Sequence, residues 1–83
     1  MEGTVKAVNP LNGMFAVEVD DGGFTIVELL DSVDVGIGEV VHGELQSLGG
    51  ESLLNVTTGD KFDCYIQNFD VPPSSIRQQL LLG

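Results

Sequence analysis

At 83 residues the chain is one domain, near the lower limit of what encloses a hydrophobic core, and no apolar run approaches the roughly 20 residues of a membrane-crossing helix. Thirteen acidic residues stand against three basic ones, Lys6, Lys61 and Arg77, for a net charge of -10. Three separated cations make no basic stripe, and the acidic majority repels polyanions and anionic lipid, which counts against nucleic acid and membrane as partners.

Thr4 to Val8 reads as a first strand, ended by the turn signals of Asn9-Pro10-Leu11-Asn12-Gly13. Met14 to Asp20 alternates, with Phe15, Val17 and Val19 on one side and Met14, Ala16 and Glu18 on the other. Asp20-Asp21-Gly22-Gly23 is a hairpin signal, because Asp-Gly tolerates the positive φ angles of tight turns. Phe24 to Leu29 then returns antiparallel, with Phe24 and Ile26 as expected core residues. Leu30 to Gly38 is acidic and irregular, a loop or short helical turn. Val40 to Leu45 is a fourth strand of uncertain register, Gly49-Gly50 a tight turn, and Ser52 to Thr57 a fifth strand closed by Gly59-Asp60.

Lys61 to Phe69 alternates as a sixth strand, with Phe62, Cys64 and Ile66 on one face, and Pro72-Pro73 stops it. Ser74 or Ser75 is placed to cap a short helix that must dock its Ile76/Leu80 side to persist. Many short strands joined by Gly-rich turns, with eleven glycines in all, argue for a small barrel.

The opening Met1-x-Gly3-Thr4-Val5-Lys6-x-x-Asn9-x-x-x-Gly13-x-Phe15, followed by Asp21-Gly22, resembles bacterial cold-shock proteins. The later Gly50-Glu51-Ser52-Leu53-Leu54-Asn55-Val56-Thr57 is similar to the end of the same domain, so the resemblance spans residues 1–58 of the 83. It implies an all-β fold: a five-stranded OB-fold, cold-shock-like barrel over residues 1–58. Residues 59–83 would add an extra C-terminal strand, 61–69, and a short helix, 75–82, packed on the same domain. It also implies a platform on which single-stranded bases stack, each stack worth about 1–3 kcal/mol, with cations tracking the backbone.

This chain departs from the platform. Where the family has an exposed Trp on the first strand stands Ala7, and Asn12 replaces the Lys before the glycine of the second-strand motif. Its two platform phenylalanines are Met14 and Ala16, and the Phe and His of the third strand are Thr25 and Val27. Phe15 occupies the place of an inward glycine, as though the barrel were repacked while its binding face was lost. Lys6, Asn9 and Phe15 are the residual nucleic-acid candidates.

The replaced positions Ala7, Met14, Ala16, Thr25, Val27 and Leu29 form the candidate interaction face. A smooth apolar strip is seldom left open on a monomer. Either the C-terminal extension folds over it with Tyr65, Phe69 or Leu80 to Leu82, or a partner protein or second copy covers it; a tail swapped between protomers would satisfy both.

Reactive chemistry finds little support. His42 is the single histidine, Cys64 the single cysteine, and neither has a second soft ligand at useful spacing, so no metal is expected. Asp20, Asp21, Asp31 and Asp34 lack the spacing of a calcium loop. One histidine without an orienting partner makes no triad. Lys61 beside the Gly59-Asp60 turn invites comparison with carrier domains, but it does not divide two similar halves and fits a strand-edge lysine better.

A lone cysteine fits a reducing compartment, and Met1-Glu2-Gly3 lacks the basic start of a secretory leader, so the expected location is cytoplasmic. The expectation is a non-enzymatic module without catalytic residues or cofactor, serving protein–protein contact or self-association. Weak binding of single-stranded RNA or DNA is the alternative.

Overall fold

A computed structural model describes residues 1–82. Six strands, β1 (Glu2–Asn9), β2 (Met14–Val19), β3 (Phe24–Leu29), β4 (Val40–His42), β5 (Gly49–Asn55) and β6 (Lys61–Val71), close a barrel in the order β1-β2-β3-β6-β5-β4. Every pairing is antiparallel, and closure comes from β1, which pairs with both β2 and β4. Closure leaves no open sheet edge. A 3-10 turn (Pro73–Ser75) and one short helix, α1 (Ile76–Gln79), follow. No helix among the described residues is long and apolar enough to cross a membrane.

The alternation expected in β2 sets the core. Phe15, Val17 and Val19 point inward, joined by Val5, Val27, Val41, Leu53, Phe62, Cys64 and Ile66 from the other strands. Phe15 and Phe62 meet edge to face, with ring centroids 6.2 Å apart and planes at 63°, the geometry that aromatic quadrupoles favour. The Asp21-Gly22 turn forms as expected: Gly22 sits at φ 86°, and the Gly23 amide donates to Asp21 Oδ1 at 2.9 Å. Gly3 serves close approach, since a Cβ there would lie 2.6 Å from the Glu18 carbonyl oxygen.

The sixth strand is a stave of the barrel. It lies between β3 and β5 and runs on to Val71, with Phe62, Cys64 and Ile66 inward as the alternation requires.

Several boundaries move for physical reasons. The fourth strand stops at His42, because Gly43 at φ 150° redirects the chain. Leu45 then drops into the core as a loop residue, and its carbonyl accepts the Thr25 hydroxyl at 2.8 Å. Gly49-Gly50 is not a turn; it begins β5, paired with Ile66 and Tyr65. β5 ends at Asn55, whose Oδ1 accepts the amides of Thr57 and Thr58 and bends the chain two residues before the expected end.

The expected helix 75–82 shrinks to the four residues of α1, with no side-chain cap from Ser75. Leu81 at φ 59° ends it.

Candidate functional site

Ladder register decides which side chains share a face. Ala16 pairs with Ile26, Phe15 with Val27, and Val17 with Thr25. Val27 therefore belongs to the barrel interior, and Thr25 is fully buried with its hydroxyl on Leu45. Leu29 packs against the same core. Three of the six expected face residues thus lie on the inner side, a correction to the sequence reading. The hairpin places β3 one residue out of phase with that reading, and such a slip exchanges faces completely. Phe24 and Ile26, expected in the core, are buried instead on the outer side of the wall, with Ala16.

Ala7, Met14 and Ala16 do share the outer face, and the chain's own end covers it. A second apolar cluster gathers Ala16, Phe24, Ile26, Val71 and Leu80, with Ala7, Met14, Ile76 and Leu82 packed around it. Leu80 is completely buried. Its carbonyl accepts two amides from the β1–β2 turn, Asn9 Nδ2 at 2.8 Å and Asn12 Nδ2 at 3.3 Å. Residues 72–82 thus form a strap seated by one leucine and clamped by two asparagines. Tyr65 has no part in it and is 44% exposed on the outside of β6.

The residual nucleic-acid candidates are dispersed. Lys6 occupies a β-bulge of β1, where the register shifts between Val5 and Ala7, and lies 3.9 Å from Glu18 at the surface. Asn9 is buried and committed to the strap on one side and to the Leu11 amide on the other. Phe15 is inside the barrel and offers no ring face to a base. Three residues near in sequence thus have three different structural settings.

Among the described residues, no three His, Cys, Asp or Glu side chains gather as a metal site would require. His42 is half-exposed with Nδ1 3.7 Å from Glu2, and Lys61 is exposed at the start of β6. Cys64 is buried, its Sγ 3.4 Å from the Glu51 carbonyl oxygen. Burial, assisted by the negative charges of Glu51 and Asp63, pushes its thiol up to about 12, so the nucleophilic thiolate is suppressed near neutral pH.

Several concavities open on the described surface, and two of them adjoin the residues discussed above. One, of about 480 Å³, has Glu2, Glu18 and Asp20 around it. The other is an apolar notch of about 160 Å³ at one end of the barrel, between the β1–β2 turn and the loop 30–38.

The notch wall includes Val33 and Val35, which dip from the acidic loop onto the core. These residues were missed in the sequence, where the loop's polarity hid them; two valines spaced by one acidic residue were the available signal. The loop is held by Gly38 donating to the Val5 carbonyl at 2.8 Å and by Gly36 donating to Glu39 Oε1 at 2.7 Å.

Comparisons with family models, curated proteins and solved structures gave no match to this chain. The architecture and the site geometry therefore carry the functional reading.

Proposed function

We propose that this chain is a non-enzymatic OB-fold module, cold-shock-like over its first five strands, whose base-stacking face has been given over to its own C-terminal strap and which works by contact with another protein. The observation that carries the reading is the complete burial of Leu80 against the face that includes Ala16 and Ile26. Affinity for single strands needs stacking rings and phosphate-neutralising cations on one accessible surface. Here the face is apolar and covered, Lys6 stands beside Glu18, and the whole chain carries -10.

Charge also bears on the kind of partner. Two copies at -10 repel each other, whereas a cationic protein is attracted. A heteromeric contact therefore fits better than self-association.

Fluorescence anisotropy with mixed-sequence single-stranded RNA and DNA at low salt tests the reading, together with light scattering on the eluting protein. The expected result is a monomer with no oligonucleotide affinity at micromolar concentration. Micromolar binding that weakens with added salt would overturn the reading in favour of a residual nucleic-acid function. A stable dimer would overturn the heteromeric part.

A further inference from the structure

The apolar notch between the β1–β2 turn and the loop 30–38 reaches down to the barrel core. Val8, Phe15, Leu29, Val33 and Val35 line it, and Asp34 stands among them. Its lining holds no cation among the described residues. About 160 Å³ is well below the roughly 300–1,000 Å³ of a small-molecule or cofactor site. The space suits a single aliphatic side chain.

The strap does not fill it: Ile76, Leu80 and Leu82 pack into the outer cluster with Ala16 and Ile26, Leu81 is exposed, and no strap residue lines the notch. Mutual repulsion of two -10 chains argues against a second copy as occupant. The notch wall is also anchored rather than loose. The loop carrying Val33 and Val35 is tied at one end by the Leu30 amide to the Asp63 carbonyl, at 3.0 Å. At the other, Gly38 donates to the Val5 carbonyl at 2.8 Å.

We propose that this notch is the docking point for a partner protein segment that inserts one aliphatic side chain flanked by lysine or arginine. The aliphatic group would lie on Phe15, Leu29, Val33 and Val35, while the flanking cations meet Asp34 and are drawn by the chain's net charge of -10. An anchor residue in a preformed pocket with charge complementarity at its rim is how many interfaces combine affinity with orientation. The proposal rests on the interaction-module reading and names the partner chemistry of one site within it.

The test is a titration of the full chain, uniformly labelled with 15N, followed by amide chemical shifts at low salt. The probe is the blocked peptide Lys-Arg-Leu-Arg-Lys. Lys-Arg-Gly-Arg-Lys reports general attraction of a polycation, and a short oligothymidylate serves as a third arm. The leucine peptide is expected to shift the amides of Gly13, Leu29, Val33 and Asp34 and to bind about tenfold more tightly than the glycine peptide. Val33→Phe, which fills the notch, should abolish that difference. Asp34→Lys, at an exposed position, should weaken the leucine peptide severalfold.

Equal affinity of the two peptides, or shifts mapping away from the notch, would overturn the proposal and leave the interaction-module reading standing. Shifts induced by the oligothymidylate would instead overturn the reading beneath it.

Discussion

The side-chain amide of Asn9 donates to the carbonyl oxygen of Leu80 at 2.8 Å, joining residues 71 positions apart. The contact ties the first turn of the barrel to the last turn of the chain, and it seats the only strap residue that is completely buried. Leu80→Ala is expected to cost about 2–5 kcal/mol, the range for deleting a buried leucine. Asn9→Ala should cost about 1–3 kcal/mol, since it leaves buried polar groups unsatisfied. Urea unfolding curves with linear extrapolation measure both. A Leu80→Ala protein as stable as the parent would show that the strap is not an integral part of the fold.

Gly3 permits the closest approach of β1 to β2. An added Cβ would lie 2.5 Å from Val17 Cγ1 and 2.6 Å from the Glu18 carbonyl oxygen. The second of these is backbone and cannot rotate away. Gly3→Ala is therefore expected to destabilise the barrel by about 1–3 kcal/mol, the usual cost of overpacking. Gly50→Ala meets open space on the outer face and should stay within about 0.5 kcal/mol of the parent. Thermal unfolding followed by circular dichroism compares the two.

Cys64 gives a pH signature. Its thiol titrates higher in the folded chain than in the unfolded one, because burial and the Glu51 and Asp63 carboxylates disfavour the thiolate. The associated stability is therefore present below the unfolded thiol's range and declines as pH rises toward about 12. Cys64→Ala should flatten that alkaline decline. A thiol-reactive disulfide reagent at pH 8 should label the native protein only as fast as it opens, which a labelling rate compared with that of urea-unfolded protein will show.

Glu39 gives the opposite sign. Its carboxylate accepts the Gly36 amide at 2.7 Å and the Asn55 side-chain amide at 2.9 Å, and these bonds hold its pKa below the usual value, with the Gly36 bond the larger cause. The stabilisation is present above the unfolded carboxylate's pKa and is lost as pH falls through the depressed folded value. Glu39→Gln should narrow the difference in unfolding midpoint between neutral and acid pH. A carbon-detected NMR titration of Glu39 reads the depression directly; a midpoint at the ordinary glutamate value would contradict it.

Much of the barrel was legible because its signals are local. Alternation placed Phe15, Val17 and Val19 inside and grouped Phe62, Cys64 and Ile66 on one face of their strand, and both sets are buried in one core. Asp21-Gly22 marked a turn that needs positive φ, and Pro72-Pro73 marked the end of β6. Gly49-Gly50 misled, since glycine pairs resemble turns in sequence, yet here they are strand residues opposite Ile66 and Tyr65. The candidate face was half legible: Ala7, Met14 and Ala16 were grouped correctly, while Thr25, Val27 and Leu29 were assigned the wrong side.

Sequence alone determined that the chain is a small acidic all-β domain, because side-chain period, turn chemistry and charge are properties of neighbouring residues. Tertiary structure alone decided where the sixth strand goes, which way β3 faces, and what lies on Ala16. Register and long-range docking depend on contacts between distant segments, such as Val27 with Ile66 or Leu80 with Asn9, and no local window of sequence contains both partners.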